Sequence, residues 1–73
     1  MFPQYRKLSN QKSFYKINSH REFEEIQLVG SSAIRTTTKA NKYPEIIRIT
    51  EMIDCTQPFE MSTEGEFFEH IKT

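Results

Sequence analysis

The run Ser19 to Gly30, Ser-His-Arg-Glu-Phe-Glu-Glu-Ile-Gln-Leu-Val-Gly, constrains the fold most, because it carries a start signal, an amphipathic body and a stop signal together. Ser19 is placed to accept from the N–H of Glu22 while the Glu22 carboxylate reaches back to the N–H of Ser19, satisfying two donors that a helix start leaves unpaired. Glu22, Glu24 and Glu25 stand where a helix dipole favours negative charge, and Gly30 follows where a left-handed residue costs glycine nothing. Phe23, Ile26 and Val29 recur at helical spacing. The segment therefore predicts a helix over 20–29. A competing reading makes Glu22 to Val29 a strand, because Ile26 and Leu28 alternate with Glu25 and Gln27; the cap signals and the glycine favour the helix.

The flanking segments read more simply. Tyr5 to Ser9 and Ser13 to Asn18 enclose Asn10-Gln11-Lys12, a polar connector of hairpin length. In the second strand Ser13, Tyr15 and Ile17 share one face and Phe14, Lys16 and Asn18 the other, so either aromatic suits the core. Ser32 to Ala40 holds the β-branched run Thr36 to Thr38, whose polarity fits an edge strand or a solvated face. Pro44 opens a helix over 44–54, with Ile46, Ile49 and Ile53 at helical spacing. Thr63, Glu66 and Phe67 repeat the spacing of Ser19, Glu22 and Phe23, which predicts a further helix over 63–71. The fold class is α+β: a small antiparallel sheet of the hairpin 5–18 and a strand over 32–40, with 58–61 a further candidate, packed on one face by two or three short helices (20–29, 44–54, 63–71).

Seventy-three residues with 36% hydrophobic content make a single domain, 1–73, with a thin core. Six Phe and three Tyr supply most of its buriable area. Self-association is one ordinary way for so small a chain to bury more surface, which makes a homodimer a natural expectation.

Ten cations and ten acids cancel, but they are not mixed. Arg6, Lys7, Lys12, Lys16 and Arg21 meet no acid before Glu22, whereas Glu51, Asp54, Glu60, Glu64, Glu66 and Glu69 share the C-terminal third with Lys72 alone. Cys55 is the single cysteine, so no intrachain disulfide forms. No segment approaches the roughly 20 apolar residues of a membrane span and no signal-peptide core is evident, so the expected location is cytoplasmic.

Chemistry has little to work with. A thiolate needs a base or cation beside it, and nothing in the spacing joins Cys55 to His20 or His70. Structural zinc takes four Cys or His ligands in paired short spacings, which are absent; Glu66 and His70 lie one helical turn apart and read as a surface pair. The carboxylate pairs Glu24-Glu25 and Glu64-Glu66 read as helix-start charges. Gly30 and Gly65 are isolated, so no glycine-rich phosphate cradle exists. The expectation is no catalysis, no metal and no cofactor.

Two binding classes remain. The first is a non-catalytic, accessory or regulatory protein-interaction module whose partner is another protein or its own copy, with Phe67, Phe68 and Ile71 as contact residues on the acidic side. The alternative is a weak nucleic-acid binder through the basic hairpin, using Arg6, Lys7, Lys12, Tyr15, Lys16 and Arg21.

Overall fold

The computed structural model describes residues 2–69. Five strands form one antiparallel sheet: β1 (Gln4–Leu8), β2 (Ser13–Ser19), β3 (Glu22–Val29), β4 (Ser32–Lys39) and β5 (Phe59–Met61), in the spatial order β4-β3-β2-β1-β5. Two helices complete it, α1 (Tyr43–Ile53) and α2 (Glu64–Glu69).

The 20–29 helix is not formed. Glu22–Val29 is the strand β3, paired to β2 through Phe14↔Ile26 and Ile17↔Phe23, and to β4 along all eight residues. Ser19 and Glu22 face each other across the hairpin turn His20-Arg21, and the Ser19 hydroxyl accepts from the N–H of Arg21 at 3.1 Å. A serine or threonine oxygen stabilises such a turn by the same short-range bonding with which it caps a helix. Gly30 is left-handed, at φ +62°, in the tight turn to β4 rather than beyond a helix. Extension of this stretch also makes the sheet larger than a hairpin plus one strand.

The helical spacing of Phe23 and Ile26 has a different cause: the sheet is covered on both faces. Strand residues alternate sides, so Phe23 belongs with Tyr15, Ile17 and Phe59 on a first face, under Ile49 and Met52 of α1. Ile26 belongs with Phe14 on the second face, under Phe67 of α2. The two helices therefore divide the faces between them instead of sharing one, and both aromatics of β2 are buried. Tyr15 packs edge-on against Phe23 and Phe59, with ring centroids 6.0 and 5.7 Å away.

The ends of α1 are fully accounted for. At its start the Glu45 carboxylate accepts from the N–H groups of Asn41 and Lys42. At its end Asp54 donates to Thr50 O, Cys55 to Met52 O and Thr56 to Glu51 O, with Cys55 left-handed at φ 55°. This is the Schellman arrangement, with cysteine where glycine usually stands. One carbonyl, that of Ile53, is left over. Arg6, reaching up from β1, donates to it through Nη2 at 2.9 Å and to Met52 O through Nε at 2.8 Å. Its remaining bonds go to Tyr5 O and the side chain of Gln4. Arg6 is only 6% exposed and its guanidinium has no carboxylate among these partners, so the negative end of α1 balances its charge.

Replacing Arg6 by alanine leaves the carbonyl of Ile53 without its donor and that of Met52 with the Cys55 N–H alone. The expected loss is about 2–4 kcal/mol, out of roughly 4–11 kcal/mol for a chain of this size. Urea unfolding of Arg6→Ala should show the full loss. Arg6→Met, which keeps the packed stem but not the bonds, should fall between it and the wild type. A midpoint unchanged in Arg6→Ala would contradict the role assigned to this side chain.

Candidate functional site

Part of the charge polarity of the chain is used inside the fold. On the second face Lys7 of β1 donates to Glu66 of α2 at 3.1 Å, and the Ser62 hydroxyl donates to the other oxygen of that carboxylate at 2.8 Å. Thr63 Oγ1 accepts from the N–H of Glu66, the half of the predicted cap that forms at α2. Together the Ser62 bond, foremost, and Lys7 hold the Glu66 carboxyl below its ordinary value.

Beside this pair Glu24 of β3 gathers three donors. Arg35 of β4 donates through Nε at 3.1 Å and also through Nη2, and Asn18 donates at 3.2 Å; the Lys16 ammonium stands 4.0 Å away. The bonds from Arg35, more than the opposing desolvation, lower the Glu24 pKa. Lys16 also lies over the Phe68 ring, 5.3 Å from its centroid.

The residues proposed for nucleic acid thus do not form one face. Arg6 caps α1 from within the core, Tyr15 is fully buried, and Lys7 and Lys16 are engaged by carboxylates; Lys12 and Arg21 are exposed. Burial raises the Tyr15 phenol pKa, helped by the charge of Glu25. Arg48 and Ser13 lie close enough to offset part of that rise, yet neither makes a well-formed hydrogen bond to the hydroxyl. Of the protein-contact residues, Phe67 is fully buried against Phe14 and Ile26, so it is core and not surface. Phe68 is half-buried, and Ile71 lies outside the described residues.

Cys55 and His20, two of the groups weighed for chemistry, have separate settings. Cys55 is a free, half-buried thiol at the end of α1, lining an open hollow of about 530 Å3 with Ser9, Gln57, Pro58, Glu60 and Met61 among its walls. His20 sits in the β2–β3 turn with its ring edge-on to Phe2 at 4.8 Å. His70 lies outside the described residues. Among the described residues no three His, Cys, Asp or Glu side chains converge on a point.

What the fold leaves open is the edge of the sheet at β4. Among the described residues this strand has β3 on one side and no strand on the other, and it is exposed along most of its length. Ala40 donates to Arg21 O at 2.6 Å, and Leu28 donates across to Lys12 O at 2.8 Å, away from β4. Alternation along the strands then turns the backbone N–H and C=O groups of Ala33, Arg35, Thr37 and Lys39 outward. Beside this edge Val29 and Ile34 are each 50% exposed on the first face, which α1 does not reach there. Sequence polarity pointed to an edge strand or a solvated face at 32–40, and β4 is an edge. The helix-capping role of Arg6 was missed, and its one signal was the lack of a basic residue in the last turn of α1.

Comparison of the chain with protein-family models, curated proteins and solved structures finds no match. No helix among the described residues is long and apolar enough to cross a membrane.

Two outcomes check this geometry. Glu24 is depressed in the fold, so its contribution to stability is complete above the ordinary carboxylate value of 4.5 and is lost as pH falls through its lower folded value. Urea midpoints measured from pH 6 down to pH 3 should therefore fall less steeply in Glu24→Gln than in the wild type; parallel curves would contradict it. Cys55→Gly relieves a left-handed non-glycine residue and should raise the free energy of unfolding in urea by about 0.5–1 kcal/mol, where a loss of stability would show the side chain to be needed.

Proposed function

We propose that this chain is a non-catalytic protein-interaction module that adds a strand from a partner to the β4 edge of its sheet. One observation carries the reading: an eight-residue edge strand stands open with neither proline nor bulge, and its two cations, Arg35 and Lys39, leave the run Thr36 to Thr38 uncharged. Natural edges are shortened, bulged, or carry proline, lysine or inward-pointing charge, because unpaired backbone groups template association; of these β4 has only Lys39, at its last position. β4 contains no proline, and its pairing to β3 runs without a register shift. The Arg35 guanidinium is drawn back over the sheet to Glu24, away from the edge. β5, at the opposite edge, is three residues long and follows directly on Pro58.

Strand addition takes its affinity from main-chain hydrogen bonds and its specificity from alternate side chains. Four outward-facing residues, flanked by half-exposed Val29 and Ile34, supply both. This reading moves the expected contact from the acidic side, where Phe67 is core, to the threonine-rich strand. The accessory or regulatory role in the cytoplasm remains part of the proposal.

A photo-cross-linking amino acid at position 37, in living cells, should give adducts with a protein, whether a different one or the chain itself. The same residue at position 43, exposed at the start of α1, should give none. Adducts from position 43 alone would contradict the edge reading.

A further inference from the structure

We infer that the strand received at β4 is β4 of a second copy, paired antiparallel about a two-fold axis at Thr36, which fuses two five-stranded sheets into one of ten. The inference rests on the edge reading above and names its partner.

The side chains of β4 select this register. Antiparallel pairing about a two-fold axis sets each residue opposite one fixed partner on the same face. With the axis at Thr36, Thr36 meets its own copy, Ile34 meets Thr38, Arg35 meets Thr37, and Lys39 meets Ala33. No cation stands opposite a cation, and the small Ala33 leaves Lys39 a path to solvent. An axis at Arg35 would set Arg35 against itself, and an axis at Thr37 would set Arg35 against Lys39. Like charges directly opposite are destabilising. Moving the axis to Ile34 avoids both conflicts but pairs only residues 32–36 of the strand.

Within the Thr36 register the outward backbone groups of Ala33, Arg35, Thr37 and Lys39 meet each other, so the bonds that β3 leaves unmade are those the second copy completes. On the first face a ladder of Thr36 on Thr36, with Thr38 on Ile34 at either side, matches β-branched partners that pack well across strands. Arg35 does not oppose approach of its copy, because Glu24 holds its guanidinium on the β3 side. The two edges also differ in a way that favours closure. β4–β4 contact uses the same surface twice and leaves only the short β5 edges outside, so the assembly ends at two.

Because Thr36 meets itself, opposite charges placed there on different copies attract, while the same charge on both repels. Sedimentation equilibrium should give the wild type twice the chain mass at about 100 µM. Thr36→Glu and Thr36→Lys should each return to the monomer mass, weakening association at least tenfold, with far-UV circular dichroism showing each variant folded. Mixed one to one, the two variants should regain the dimer mass. A wild type that stays monomeric, or a dimer that persists in both single variants, would overturn the inference. In either case position-37 adducts, with a different protein or with the chain itself, would keep the edge reading, and the absence of any would remove it as well.

Discussion

The contact on which the rest of this structure depends is the one between Arg6 and the end of α1. A sheet of five strands buries its first face only if a helix is held across it, and α1 meets the sheet through few apolar side chains, chiefly Ile49 and Met52. A charge buried without a carboxylate is costly unless hydrogen bonds and an opposite dipole offset it. The carbonyls of Met52 and Ile53 do both, at 2.8 and 2.9 Å. The same bonds complete the last turn of a helix whose own residues there, Glu51 and Asp54, have the wrong sign for its dipole. One side chain therefore joins β1 to α1, and through α1 the segment that leads into β5.

Much of the fold was legible because local signals and tertiary context agreed. The hairpin about Asn10, the strand at 32–40 and the helix at Pro44 each had turn or start residues that admit few alternatives. The segment 19–30 was misread for two physical reasons. Ser-x-x-Glu bonds its own backbone in a helix start and in a tight turn alike, and the chain shows both outcomes: Thr63 receives the N–H of Glu66 at α2, while Ser19 receives that of Arg21 in a hairpin. A strand covered on both faces also needs apolar residues on both, so Phe23 and Ile26, three apart, imitate one stripe of a helix while serving opposite layers. The alternation of Ile26 and Leu28 with Glu25 and Gln27 pointed to the strand, but the long-range pairing of β3 with β2 and β4 is what decides between the two cases.

The candidate site was legible in part. Polarity of the chain, basic first and acidic last, was plain in the sequence; its use was not. Lys7 with Glu66 ties the basic β1 to the acidic α2, Lys16 stands beside Glu24 within the sheet, and Arg6 leaves the surface altogether. Sequence pattern also marked Phe67 as a contact residue, because neighbouring phenylalanines on a short helix cannot both face one layer. The fold places Phe67 inward and turns Phe68 toward Lys16. What remains free is backbone at β4, a feature of topology rather than of any motif.

The central claim is that Arg6 makes sheet and helix a single cooperative unit. Residue-resolved amide hydrogen exchange measures this most directly, since groups that open together exchange with one free energy. The account predicts that the slowest amides of α1, at Ile49 and Met52, and those at the centre of β2 and β3 share one opening free energy equal to that of global unfolding. Exchange of α1 at a markedly lower free energy, with the sheet still closed, would contradict it.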